Sequence, residues 1–245
     1  MNINKIVAAF TIGVFAVPLF ASAQLNTNAT ANGQACARIE NAKEATITRM
    51  QERLTTLENR RAQTKNAIQT RRTEHKSRLT ELRNTWDENR DQIYQKLQER
   101  AQTESQTQAV ANFQETIETA VTVRRTAIDQ AIETYWAGVD SLYATRVEST
   151  DDITKTYQSA VQTAFANALE ACGNDESAVQ IRATLTSALR TARQNFSNSR
   201  TSLDDLTDEL KALRETRNAS IKSAVSAFKT TLEAAQTELK AAFGE

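Results

Sequence analysis

Two cysteines, Cys36 and Cys172, are the residues of this 245-residue chain whose chemistry is easiest to anticipate. Their sequence midpoint is residue 104, at the start of a polar stretch that runs to Gln108. A helical hairpin that folds back there brings both thiols to the same end, so the spacing predicts an intrachain disulfide. Two free thiols, or bonds between chains, are the alternatives. A redox-active pair is not indicated, because no C-x-x-C motif is present.

A second group of residues combines positive charge with aromatic rings. Residues 60–78 contain seven Lys or Arg and one Glu, and a hairpin folded at residue 104 would place them opposite residues 130–148. That surface could bind an anionic partner such as an envelope polymer or a nucleic acid. In the alternative interpretation, the rings only fill space and the arginine stems pack on them. The candidate partner-binding residues are Arg60, Arg61, Lys65, Arg71, Arg72, Tyr135, Trp136 and Tyr143.

Other kinds of site lack their residues in this sequence. His75 is the single histidine, so neither a Ser-His-Asp arrangement nor a histidine-rich metal site has its usual components. The acidic pairs 151–152 and 204–205 lack the alternating spacing of a calcium-binding loop, so we interpret each as a solvated helix start. Four scattered glycines after residue 23 supply no phosphate-binding loop. We therefore expect no catalytic residues, no metal, no cofactor, no small-molecule substrate and no enzymatic activity.

The N-terminus has the three parts of a secretory signal peptide. A short start with Lys5 precedes an apolar stretch, and Ala21-Ser22-Ala23 supplies a cleavage site before Gln24. We expect residues 1–23 to be removed, residues 24–36 to be a flexible N-terminal segment, and the protein to be secreted to the periplasm or cell surface. An uncleaved N-terminal anchor is the alternative. No other apolar run is long enough to span a membrane.

The elements that must position these residues are helices. Pro18 is the only proline, and it lies within the predicted signal peptide. Apolar residues recur at alternating intervals of three and four, as in coiled coils, with one four-residue insertion at Arg217. A capping box at Ser105-x-x-Gln108 and a helix stop at Gly173 mark two turns. The helices are therefore predicted at 37–103, 106–172 and 175–243.

These three helices have nearly equal lengths and complementary charges. Residues 37–103 carry 15 basic and 10 acidic side chains, whereas residues 104–172 carry 4 basic and 10 acidic ones. The sequence therefore predicts an all-α fold, an antiparallel three-helix up-down-up bundle of coiled-coil helices over residues 37–245. The sequence does not decide whether the second helix has a kink at 148–152, because the residues ESTDD could cap a new helix there.

The run Ala109–Asp140, the arginine-rich helix before it and the later Cys172-Gly173 resemble uncharacterised secreted helical proteins of candidate-phylum bacteria. That resemblance implies secretion and a helical fold, but no activity. In size and helical content the chain is also loosely similar to periplasmic chaperones of the Skp/OmpH type. The first functional hypothesis is a structural or interaction protein of the cell envelope, a helical rod or spacer. The alternative is a chaperone or binding module for envelope clients or polyanions, and self-association is left open.

Overall fold

The computed structural model describes residues 29–174, 176–203 and 206–245. These residues form four helices: α1 (Ala29–Arg100), α2 (Glu104–Gly173), α3 (Ala178–Thr201) and α4 (Leu206–Phe243). They contain no β-strand, so the predicted all-α class is confirmed. None of these helices has the length and apolar character that crossing a membrane requires. The predicted signal peptide and its cleavage site lie outside the described residues.

The first unit, Met1–Asn66 and Tyr143–Asp205, contains the beginning of α1, the end of α2 and all of α3. Here α1 and α3 begin at the same end, because the Asn32 side-chain oxygen accepts a hydrogen bond from the Ala178 backbone N–H at 3.1 Å. Helix α2 ends there and so runs antiparallel to both. The core residues of this unit are Ile39, Met50, Tyr157, Val161, Ala164, Phe165, Ala168, Ile181, Leu185, Leu189, Ala192 and Phe196.

The second unit, Ala67–Leu142 and Leu206–Glu245, contains the end of α1, the beginning of α2 and all of α4. Arg100 near the end of α1 pairs with Glu245 just after α4, so these helices run in the same direction. Its core residues are Tyr94, Val110, Phe113, Ile117, Val121, Ala235 and Leu239. Each unit is thus an up-down-up arrangement of three helices, which confirms the predicted bundle.

The first and third predicted helices have different bounds in the structure, whereas the second is unbroken as predicted. Helix α1 begins at Ala29, inside the segment 24–36 that was predicted to be flexible. Helix α2 continues without a break through residues 148–152, where the Thr154 hydroxyl donates to the carbonyl of Thr150 one turn earlier. The predicted helix 175–243 is wrong, because the chain leaves the helix after Thr201 and re-enters it at Leu206. Asp208 and Glu209 in the first turn of α4 favour that new start through the helix dipole.

The turn between α1 and α2 uses a different capping box from the predicted one. The Gln106 backbone N–H donates to the Thr103 hydroxyl at 3.2 Å, and the Gln106 side-chain oxygen accepts from the Thr103 backbone N–H at 3.3 Å. The reciprocal pair is therefore Thr103-x-x-Gln106, two residues before the predicted Ser105-x-x-Gln108. Helix α3 has its own cap, because the Ser177 hydroxyl accepts from the Gln180 backbone N–H.

One position of α1 recurs every eleven residues, and we call these residues the α1 column. Its members are Ile39, Met50, Arg61, Arg72, Arg83 and Tyr94. The outer members are apolar or aromatic and buried, whereas the three central members are arginines. An eleven-residue repeat corresponds to about 3.67 residues per turn, so intervals of three, four and four replace the predicted heptads. The interval of four at Arg217, predicted as an insertion, is a regular part of such a repeat.

Candidate functional site

Cys36 and Cys172 form a disulfide in the first unit. Their sulfur atoms are 2.10 Å apart and their Cα atoms are 6.1 Å apart. Both residues pack against the core of that unit and join the start of α1 to the end of α2. The predicted intrachain bond is therefore confirmed by the structure, in which neither cysteine is free.

Four of the predicted partner-binding residues, Arg60, Arg61, Lys65 and Tyr143, belong to the first unit. Arg61 donates to the Asp151 carboxylate at 2.7 Å, and only 13% of its side chain is exposed. The Tyr143 hydroxyl donates to the Arg61 backbone carbonyl at 3.0 Å, and burial raises the pKa of this phenol. Arg60 and Lys65 are exposed. Within this unit, therefore, Arg61 and Tyr143 serve the contact between α1 and α2.

The other four residues, Arg71, Arg72, Tyr135 and Trp136, belong to the second unit. The Arg72 guanidinium donates to both Asp140 carboxylate oxygens at 2.8–2.9 Å and lies 5.1 Å from the centre of the Trp136 ring. Tyr135 is only 2% exposed, so its ring belongs to the interior. The predicted accessible surface cannot include the Tyr135 ring, and this arrangement favours the interpretation in which arginine stems and rings pack together.

The arginines of the α1 column have carboxylate partners on α2 that follow the same interval. Arg61 pairs with Asp151 in the first unit, while Arg72 pairs with Asp140 and Arg83 with Asp129 in the second. The partners are eleven residues apart on α2, just as the arginines are on α1. Two arginines of the basic stretch that predicted an anion-binding surface, Arg61 and Arg72, are thus paired with carboxylates within the fold. Binding of an anionic partner there stays a prediction.

A small ionic network lies beyond this column in the second unit. Asp87 accepts hydrogen bonds from Arg125 and forms an ion pair with Arg90. Arg90 also pairs with Glu118, with a nitrogen–oxygen distance of 2.7 Å. The hydrogen bond from Arg125 is the largest influence that lowers the pKa of Asp87. Tyr94 lies beside this network, and burial, together with the Glu118 charge, raises its pKa to about 12. These charges hold α1 and α2 in register.

A groove between α2 and α4 of the second unit was not predicted. It comprises two cavities of about 470 and 300 Å³, both of which Ala127 lines. Alanines, Val123 and Phe228 make the larger cavity mainly apolar, and Arg217 lines the smaller one.

Two arginines in this α2–α4 groove lie on aromatic rings. Arg124 of α2 lies 4.0 Å from the centre of the Phe228 ring of α4, and Arg217 of α4 lies 4.5 Å from that of Tyr135 of α2. Burial lowers the pKa of Arg124, and the positive charges of Arg125, Arg90 and Arg83 lower it further. Among the described residues neither Arg124 nor Arg217 has a carboxylate partner. The groove therefore carries positive charge that the fold leaves unneutralised.

Most of the exposed large apolar residues also belong to the second unit. Leu82, Trp86 and Ile93 of α1 are 45–54% exposed and share one helix face. Val123 of α2 and Val225 of α4 are likewise exposed, whereas the first unit exposes Val179. The second unit thus offers the larger apolar surface for contact with another molecule.

The described residues contain no group of three or more His, Cys, Asp or Glu side chains placed to hold a metal ion. His75 is exposed on α1. No protein-family profile, curated protein or solved structure matches this chain. The resemblance to secreted helical proteins therefore stays a prediction from the sequence.

Proposed function

We propose that this protein is a secreted, non-enzymatic structural or interaction protein of the cell envelope. The observation that carries this proposal is the Cys36–Cys172 disulfide, because such bonds form and persist in oxidising compartments outside the cytoplasm. The sequence of residues 1–23 supports the same destination. The reactive and charged side chains singled out above hold helices together: both cysteines form the disulfide, and the α1-column arginines bind carboxylates on α2.

The experiment is to express the full chain in a bacterium with an envelope and to follow its location and mass. We expect protein outside the cytoplasm that begins at Gln24 and has no thiol open to alkylation. A matched variant with Ala21→Asp and Ala23→Asp should keep residues 1–23, because the small residues of the cleavage site are lost. Reduced protein that stays in the cytoplasm would contradict the proposal. Crosslinking in intact envelopes would then identify the structure or partner that the secreted protein contacts.

A second candidate function is a chaperone or binding module for envelope clients. The specific observation in its favour is the apolar surface of the second unit, with Leu82, Trp86 and Ile93 exposed on one face of α1. A protein that only spaces other components has no need of such a face. The test is to dilute a urea-unfolded envelope protein into buffer with and without this protein and to measure light scattering.

A chaperone should suppress scattering at near-equimolar ratio, and the Leu82→Gln/Trp86→Gln/Ile93→Gln variant should suppress it far less. The matched control is Val179→Gln, which removes an exposed apolar residue from the first unit. No suppression by the unaltered protein would leave the structural role as the better proposal.

A further inference from the structure

The α2–α4 groove of the second unit has the dimensions of a helix-binding site. On α2 its lining runs from Glu115 to Tyr135, and on α4 it runs from Leu213 to Thr231. Twenty residues of α-helix measure about 30 Å. Ala120, Ala127, Ala224 and Ala227 line the groove, and such short side chains let another backbone approach closely. A further helix lying along the larger of the two cavities would therefore meet these small side chains.

The two groove arginines differ in their partners from the arginines that form ion pairs between α1 and α2. Arg61, Arg72, Arg83, Arg90 and Arg125 all pair with carboxylates. Arg124 and Arg217 instead lie over aromatic rings, and within the described parts of the chain Arg217 donates its hydrogen bonds to the neighbouring Asn218 amide oxygen. Glu115 also lines the groove, but it is nine residues from Arg124, about 13 Å along the helix. Within the described residues, the groove therefore offers neither arginine a carboxylate within pairing distance.

The spacing of the two arginines indicates what kind of molecule would supply those charges. The Arg124–Phe228 and Arg217–Tyr135 pairs are one eleven-residue repeat apart on both helices, which is about 16 Å along the groove. A fatty acid presents one charged group and would use one arginine. A helix presents carboxylates eleven residues apart on the same face, because eleven residues complete about three turns. Two separated cations therefore favour a helix over a lipid.

From this geometry we propose that the α2–α4 groove binds an amphipathic helix of a partner protein, with Arg124 and Arg217 pairing with two carboxylates eleven residues apart on that helix. The bound helix would lay its apolar face on the alanines, Val123 and Phe228. This inference deepens the proposed interaction function and rests on it. The repulsion that Arg124 receives from Arg125 and Arg90 would be relieved by an incoming carboxylate.

The test uses synthetic peptides and the full chain without residues 1–23. The probe is a fluorescent 22-residue peptide of alanine, leucine and glutamine with two Glu residues eleven positions apart beside its apolar face. Two matched peptides carry Gln at both positions, or the same two Glu residues only five positions apart. We expect the first peptide to bind at least tenfold more tightly than either control, and its affinity to fall as salt is raised. Oleate is tested in parallel as a lipid probe.

Protein variants then assign the two charges. Arg124→Gln/Arg217→Gln should weaken binding of the first peptide at least tenfold, whereas Arg78→Gln, which alters an exposed arginine of α1, should not change it. Helical content of each variant is checked by circular dichroism. As a second measurement, Arg124→Glu/Arg217→Glu should bind a peptide with Lys at the two positions more tightly than one with Glu. This second measurement compares two peptides on the same variant, so it holds even if the substitutions weaken binding in general.

Several results would overturn the inference: no binding of the first peptide, equal binding of the Gln peptide, or binding of oleate without binding of any peptide. Its failure can be told apart from failure of the proposed function. If Arg124→Gln/Arg217→Gln is secreted and is crosslinked to the same envelope components as the unaltered protein, the groove has no such role and the envelope function stands. If the peptide binds but the protein is cytoplasmic, the groove stands and the envelope function fails.

Discussion

Removal of the disulfide should destabilise the first unit far more than the second. The bond closes a loop between residues 136 positions apart, for which the loop-entropy relation gives roughly 5 kcal/mol. If the second unit stays folded, however, only residues 36–66 and 143–172 are released. That loop of about 60 residues gives roughly 4 kcal/mol, and disulfides typically deliver about 2–4 kcal/mol. With a urea m-value near 2 kcal/mol/M, the midpoint of the first unit should fall by about 1–2 M.

The assay is urea unfolding of Cys36→Ser/Cys172→Ser beside the unaltered protein, followed by two signals. Trp86 and Trp136 are the only tryptophans and both belong to the second unit, so their fluorescence reports that unit alone. Circular dichroism reports the helices of both units. We expect the dichroism transition to move to lower urea while the fluorescence transition moves little. No displacement of either signal would refute the stabilising role of the bond, and equal displacement of both would refute separate unfolding of the two cores.

Three further predictions concern single positions. Thr103→Ala should lower the free energy of unfolding, measured by chemical denaturation, by about 1 kcal/mol, because it removes the hydroxyl that caps α2, whereas Ser105→Ala should leave it nearly unchanged. A larger loss for Ser105→Ala would instead support the capping box predicted from the sequence. A Cβ at Gly138 would lie 2.6 Å from Leu213 Cδ2, so Gly138→Ala alone should change stability little, because a helical gain of about 1 kcal/mol is offset by displacement of Leu213. In a Leu213→Ala background, Gly138→Ala should stabilise the protein by about 1 kcal/mol. Equal effects in both backgrounds would contradict this contact. The pKa of Tyr94 is raised to about 12, above the value near 10 of an unfolded tyrosine, so its contribution to stability is complete below pH 10 and is lost as pH rises towards 12. The unfolding free energy of Tyr94→Phe should therefore decline less over that pH interval. An unchanged decline would argue against a raised pKa of Tyr94.

The helices, the hairpin turn near residue 104 and the disulfide could be predicted because each depends on local chemistry or on simple length. The eleven-residue repeat was missed because its central α1 positions hold Arg61, Arg72 and Arg83, which are not apolar and so left the pattern incomplete. The structure adds their partners, because each of these arginines pairs with an aspartate on α2.

The break between α3 and α4 was missed for a different reason. The apolar intervals continue across residues 202–205 as though the helix did, and neither Gly nor Pro marks an end. The acidic pair Asp204-Asp205, interpreted as a solvated helix start, was the available signal, but the predicted helix 175–243 ran through it. The α2–α4 groove lies beyond sequence reasoning, since whether Arg124 meets a carboxylate or a ring depends on which side chain of α4 reaches its level.

The eleven-residue repeat also bears on how chains of this design can change in length. Because α1 and α2 run antiparallel in the second unit, adding one repeat between Arg72 and Arg83 requires one more between Asp129 and Asp140 to keep both existing ion pairs. Matching α4 requires a third insertion of the same size. Deletions and insertions that keep the fold should therefore come in concerted blocks of eleven in each helix, whereas an insertion of seven, silent in a heptad coiled coil, would turn arginines away from their aspartates.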